Sequence, residues 1–152
     1  MAEVPPWFYR QSGVISVRRE DGRTEVLLVT SRKGKRWVIP KGVVEPGLTP
    51  AASAAKEAWE EAGVRGTLRP EPLGTYRYWK WGGRCTVEVF LLEVESVAES
   101  WPEEHRTRRW SSPAEAAEAV REPALQALIR GVPLALGPGA PANDRSHGPR
   151  YP

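Results

Sequence analysis

The chain has 152 residues, 40% of them apolar with seven tryptophans, which suffices for one domain with a proper core. A formal charge of +3 is too small to argue by itself for a polyanionic partner. The single cysteine, Cys85, excludes an internal disulfide, no apolar run approaches membrane-spanning length, and the N-terminus lacks a signal-peptide pattern; a cytoplasmic protein with no membrane partner is expected.

Residues 1–8 read as an N-terminal arm. Residues 13–17 and 25–30 have strand composition and are joined through Asp21-Gly22, a strong hairpin dipeptide. A basic loop follows, with Arg32, Lys33, Lys35 and Arg36, and then a short buried strand at 37–39. Pro40-Lys41-Gly42 and Glu45-Pro46-Gly47 are breaker runs. Thr49 as N-cap and Pro50 at the first helical position open a helix that runs to Ala62, and Gly63 is placed for its left-handed stop. Ala51, Ala55, Ala58, Trp59 and Ala62 would face a core.

Further on, residues 73–81 are aromatic-rich and extended, Gly82-Gly83 makes a turn, and residues 85–94 form a longer strand that Glu93 and Glu95 leave. Residues 108–110 suit one more short strand. Ser112 and Glu115 make a capping box with Pro113 at the first helical position, so a second helix begins there, with Ala116, Ala119 and Val120 inward. Pro123 opens a third helix, in which Leu125, Leu128 and Ile129 share a face before Gly131. The folded domain spans 9–132. Residues 133–152, rich in Pro, Gly, Ala and Asn, read as a disordered tail. Strands interrupted by helices imply an α/β fold with a mixed sheet between helices.

The first helix carries the chemistry. Glu57, Glu60 and Glu61 fall within roughly 100° of its circumference. Glu57 and Glu61 are like charges at i,i+4, and all three lie toward the end where the macrodipole disfavours anions. Lys56 and Arg65 offset part of that cost. A divalent cation would offset more, and clustered carboxylates with room for water and phosphate oxygens suit Mg²⁺.

Residues 42–64 resemble the Nudix box. Gly42, Glu57, Ala58, Glu60, Glu61, Gly63 and Val64 stand in register, while Leu48 replaces the family's first Glu and Lys56 its Arg. The resemblance implies an α/β/α sandwich and hydrolysis of a phosphoanhydride with Mg²⁺ (Mn²⁺ as a substitute). It places metal at Glu57 and Glu61 and at the Lys41–Gly42 backbone. Glu60 would be the general base, with Glu103, Glu104 and Glu88 as alternatives. Across residues 9–130 the chain is similar to diphosphoinositol polyphosphate phosphohydrolases, some of which also cleave dinucleoside polyphosphates. That likeness puts substrate phosphates near Arg10, Ser31, Arg32, Arg84 and Arg106, all suited to phosphate recognition. Ser12 and Glu122 occupy two positions that are basic in better-known members.

Tyr76, Tyr78, Trp79 and Trp81 offer either a stacking surface for a nucleobase or plain packing. The expected partner is a small-molecule polyphosphate. RNA is the lesser alternative, either through removal of pyrophosphate from its 5′ end or through a Nudix-fold binding module whose catalysis has decayed.

Overall fold

The computed structural model describes residues 3–137. Its spine is a parallel pair, β1 (Arg10–Glu20) beside β7 (Gly83–Val97), in register from Arg10↔Thr86 to Val17↔Glu93. Each long strand serves two shorter antiparallel neighbours on its outer side. The first half of β1 pairs with β4 (Lys41–Val43) and its second half with β2 (Arg23–Thr30). Likewise β7 pairs first with β6 (Gly74–Lys80) and then with β5 (Val64–Leu68). On the far side of β2 lie β3 (Trp37–Val38) and β8 (Arg108–Ser111).

The sheet is buried on both faces, which is why its central strands read as continuous apolar runs. Side chains alternate between the two sides with the period of two that a pleated strand imposes. Val14, Leu27, Val29, Phe90 and Leu92 pack against α1 (Pro50–Glu57) and its continuation, through Ala54, Ala58 and Ala62. Ile15, Val17, Val26, Leu28, Val89 and Leu91 pack against α2 (Pro113–Ala119) and α3 (Pro123–Arg130). The result is the expected α/β sandwich. Along α1 and its continuation the inward stripe is Ala54, Ala58 and Ala62, whereas Ala55 is exposed.

Several local expectations change. The turn before β7 is Trp81-Gly82, both left-handed at φ 56° and 73°, and Gly83 already belongs to the strand. The hairpin at Asp21-Gly22 has the same form, at φ 54° and 78°. Glu93 and Glu95 stay in the sheet because β5 and the residue after it supply partners: Thr67 Oγ1 donates to Glu95 at 2.5 Å, and Arg69 Nε, just past the strand, to Glu93 at 2.9 Å. A fourth helix, α4 (Val132–Leu136), occupies the start of the expected tail, because Val132 is buried in the core and Leu136 packs on it. Residues 138–152 lie outside the described residues. Among the described residues no helix is long and apolar enough to cross a membrane.

Candidate active site

The helix that carries the glutamates is hung on the sheet at both ends. Thr49 Oγ1 accepts from the Ala52 amide at 3.1 Å, closing its start. Ser12, fully buried on β1, donates its hydroxyl to the Pro50 carbonyl at 2.7 Å. A basic side chain at position 12 would lose this tie and bury a charge. The α-helix ends at Glu57 and continues as a π-helical turn, Ala58–Ala62, with Gly63 left-handed at φ 69°. Such wide turns are rare and cluster at functional sites.

The wide turn is braced from a distant loop. Trp101 lies so close over Gly63 that a Cβ there would come within 2.8 Å of its ring. Its indole N–H donates to the Glu61 carbonyl at 3.1 Å, and Arg108, stacked over Trp101, donates to the Ala62 carbonyl at 3.1 Å. The Glu103 amide donates to the Glu60 carbonyl at 2.9 Å. Carbonyls that a helix end leaves open are thus satisfied by donors forty or more residues away.

This brace separates the three glutamates. Glu57 and Glu61 line a cleft of about 470 Å³, while Glu60 does not line it and pairs with Lys56 at 3.2 Å. Glu57 rests directly on the Gly42 backbone, where an added Cβ would lie 2.5 Å from its carboxyl carbon. Glu61 accepts from the Lys41 amide at 3.2 Å. Burial is the main force on both acids and raises both pKa values. Glu61 is pushed up to about 8, against the opposing pull of Arg106 and with a further push from Glu57.

Arg106 is itself buried, its side chain 6% exposed. It binds Glu103 Oε1 at 2.8 Å, the Thr30 carbonyl at 2.9 Å and Glu61 at 3.8 Å. Ser31 and Arg32 line the cleft; Arg10 and Arg84 do not, and both are exposed. Glu103 also lines it, whereas Glu104 is held by Ser100 and Glu88 is paired within the sheet.

Sequence reasoning named Arg36 and Lys41 within a basic run but gave neither side chain a place in the cleft, and it passed over Lys80. Lys41, Arg36 and Lys80 bring positive charge to the cleft that holds the acids. Desolvation, helped by nearby Lys80, lowers the pKa of Lys41, whose ammonium donates to the Tyr78 hydroxyl at 2.9 Å. That hydroxyl donates in turn to Gln11 at 2.7 Å. Glu122 reaches Arg36 at 3.7 Å, so this position now holds the basic loop rather than adding a cation. The basic residues before the box were visible in the sequence; their pairing with residues 78–81 depends on β4 and β6 flanking the same spine.

The donor set fits a hard divalent cation. Among the described residues no three His, Cys, Asp or Glu side chains form a closed metal cage. Two carboxylates remain, Glu57 against the Gly42 backbone and Glu61 on the Lys41 amide, and a cation that keeps most of its shell for water and phosphate needs no more. Glu57 and Glu61 would hold it.

A family model described as NUDIX domain matches residues 8–130, and the chain belongs to the Nudix family. Nudix hydrolase 13, mitochondrial, from Arabidopsis thaliana is 35% identical over 120 residues, covering 72% of this chain and 59% of its own length. Nudix hydrolase 16, mitochondrial, from the same plant is 37% identical over 123 residues, covering 74% and 68%. The chain therefore spans about two thirds or less of the length of these plant relatives. Diphosphoinositol polyphosphate phosphohydrolase 3-alpha from Homo sapiens is 29% identical over 153 residues, 97% of this chain and 90% of that protein. In fold, the chain resembles the crystal structure of a C. elegans Ap4A hydrolase binary complex, with a TM-score of 0.73 at 23% identity over 84% of this chain and 96% of that one.

Proposed function

We propose that the protein is a divalent-cation-dependent hydrolase of phosphoanhydride bonds, with Mg²⁺ as the natural ion and Mn²⁺ as a substitute. Its substrate is a nucleoside or dinucleoside polyphosphate or a diphosphoinositol polyphosphate. The observation that carries this reading is the mixed lining of one cleft: the acids Glu57 and Glu61 together with the cations Arg32, Arg36, Lys41 and Lys80. A linear polyphosphate needs both, cations along its oxygens and acids to hold a counter-ion at the bond that breaks. Family membership and the named activities of the relatives support the same reading.

The bound ion would neutralise the diphosphate oxygens and act as a Lewis acid. The remaining tasks fall to the chain. Lys41 and Arg32 orient the phosphates. Arg106 keeps Glu61 ionisable by giving its buried charge a counter-charge. Proton acceptance has two candidates, Glu60 from the motif and Glu103 from the loop. Glu103 is the better placed, since it lines the cleft and is fixed by Arg106, whereas Lys56 engages Glu60 outside it.

Turnover of diadenosine tetraphosphate and of a diphosphoinositol polyphosphate, assayed side by side with Mg²⁺ and Mn²⁺, tests the proposal. Failure to cleave either rejects it, and retained nucleotide binding would then identify a binding module. Glu103→Gln should lower kcat by about 10²-fold or more, the range of general acid–base catalysis, and Glu60→Gln by less than about tenfold. The reverse ranking returns the base to Glu60.

A further inference from the structure

Four aromatic residues run along β6 into the following turn, and the structure gives each a different task. Tyr76 is buried in the core, Trp79 is 74% exposed and does not line the cleft, and Tyr78 has its hydroxyl tied to both Gln11 and Lys41. Trp81 is the exception. It lines the cleft, belongs to neither hydrophobic core, and is only partly buried.

Its conformation is costly. Trp81 sits at φ 56° in the first position of a two-residue turn, where Asn, Asp or Gly would be favoured. A side chain there is disfavoured, because the left-handed backbone brings its Cβ too close to the following carbonyl oxygen. Strain of this kind persists only where surrounding structure holds it. Here the hold is explicit. Tyr9 donates its hydroxyl to the Trp81 carbonyl at 2.7 Å, and Gly83 lets the Tyr9 ring lie against the strand where a Cβ would come within 2.5 Å of it. Phe8 and Tyr9 meet the indole at 68° and 79°, so both contacts are edge-type. Among the described residues no aromatic ring lies flat on Trp81. Lys80 places its ammonium over one face of the ring, 4.7 Å from its centroid, and lines the same cleft, so a base would stack on the other face.

We infer that Trp81 and Lys80 form a nucleoside subsite, in which the indole stacks on a nucleobase and Lys80 receives the first phosphates, making the substrate a nucleoside or dinucleoside polyphosphate. The inference rests on the hydrolase reading and narrows its substrate class. An inositol ring is saturated and has no π face to set against an indole, whereas every nucleobase has one. The polyphosphate then runs past the basic side chains that line the cleft toward Glu57 and Glu61.

The test compares wild type with Trp81→Asn and Trp81→Gly, which keep the turn but remove the ring, and with Trp81→Phe, which keeps a ring. Affinities for a methylene-bridged nucleoside triphosphate and for inorganic tripolyphosphate are measured calorimetrically with Mg²⁺ present. The Asn and Gly variants should bind the nucleotide about tenfold more weakly, and Phe should recover most of that loss. The loss for tripolyphosphate should be at least fivefold smaller than for the nucleotide. Equal losses for both ligands, or undiminished nucleotide affinity, overturn the subsite. Ring-dependent nucleotide binding in a wild type that cleaves nothing would refute the hydrolase and leave the subsite standing. Cleavage in a protein indifferent to the ring would do the opposite.

Discussion

Glu61→Gln is expected to lower kcat by about 10³-fold while making the cation-free protein more resistant to heat at pH 8. The two effects have one cause. Burial pushes the Glu61 pKa up to about 8 from the usual 4.5, so the folded state binds a proton across that interval which the unfolded chain has released. Stability contributed by this residue is therefore highest below about pH 4.5, falls as pH rises, and is fully lost above about pH 8. Arg106 limits the cost without cancelling it.

Glutamine keeps an oxygen for the Lys41 amide and removes the charge. Arg106 retains Glu103 and the Thr30 carbonyl. Thermal midpoints measured from pH 5 to 8 without cation should slope downward for wild type and less steeply for the variant. Adding Mg²⁺ should raise the wild-type midpoint most at the alkaline end, since binding to the folded state adds stability by mass action. A wild-type midpoint that climbs between pH 5 and 8 in the absence of cation would contradict the buried-charge account. Catalysis should fall because an amide oxygen neutralises no cation, and losses of 10²–10³-fold are typical when one electrostatic contact at a reacting centre is removed.

Gly42→Ala should act as a clean lesion of the site. The backbone at Gly42 is not left-handed, so alanine fits its dihedral angles. The added methyl has nowhere to go except into the Glu57 carboxylate. That group sits at the end of a flexible side chain and can move, so the thermal midpoint should change by no more than about 3 °C. The price is misplacement of a cation ligand by about an ångström, which can cost roughly 10²-fold in rate. We expect kcat/KM to fall by that factor and Mg²⁺ affinity to weaken, by calorimetry, in the same variant. Full activity in Gly42→Ala would show that the position of Glu57 seen here is not the working one.

How far the sequence carries depends on how local each feature is. Thr49, Pro50 and Gly63 specify the helix ends through backbone chemistry within a few residues, and they are legible. So are the capping box at Ser112 and the left-handed pair Asp21-Gly22. The separation of Glu60 from Glu57 and Glu61 is not, because the wide turn answers to Trp101, Arg108 and the Glu103 amide, none of which has a local signature near the helix. A regular helix read from residue spacing alone puts all three acids together.

The basic residues are a different case. Charge is visible in sequence but placement is not: Ser31, Arg32 and Arg106 line the cleft and Arg10 and Arg84 do not, while Arg106 also pairs with Glu61 and Glu103. The short strands β4 and β5 were invisible because neither has the alternating apolar pattern that marks a strand. Lys41-Gly42-Val43 follows a proline, and β5 is exposed through Arg65, Gly66 and Thr67, with a shift in pairing between the first two.

The bracing of the wide turn by the segment around Trp101 ties two stretches of chain into one mechanical element. Amide protons of Gly63 and Glu103, though forty residues apart, should exchange with solvent at matched rates, because one cannot open without the other. Whatever lifts that distant loop also loosens the grip of the acids on their cargo.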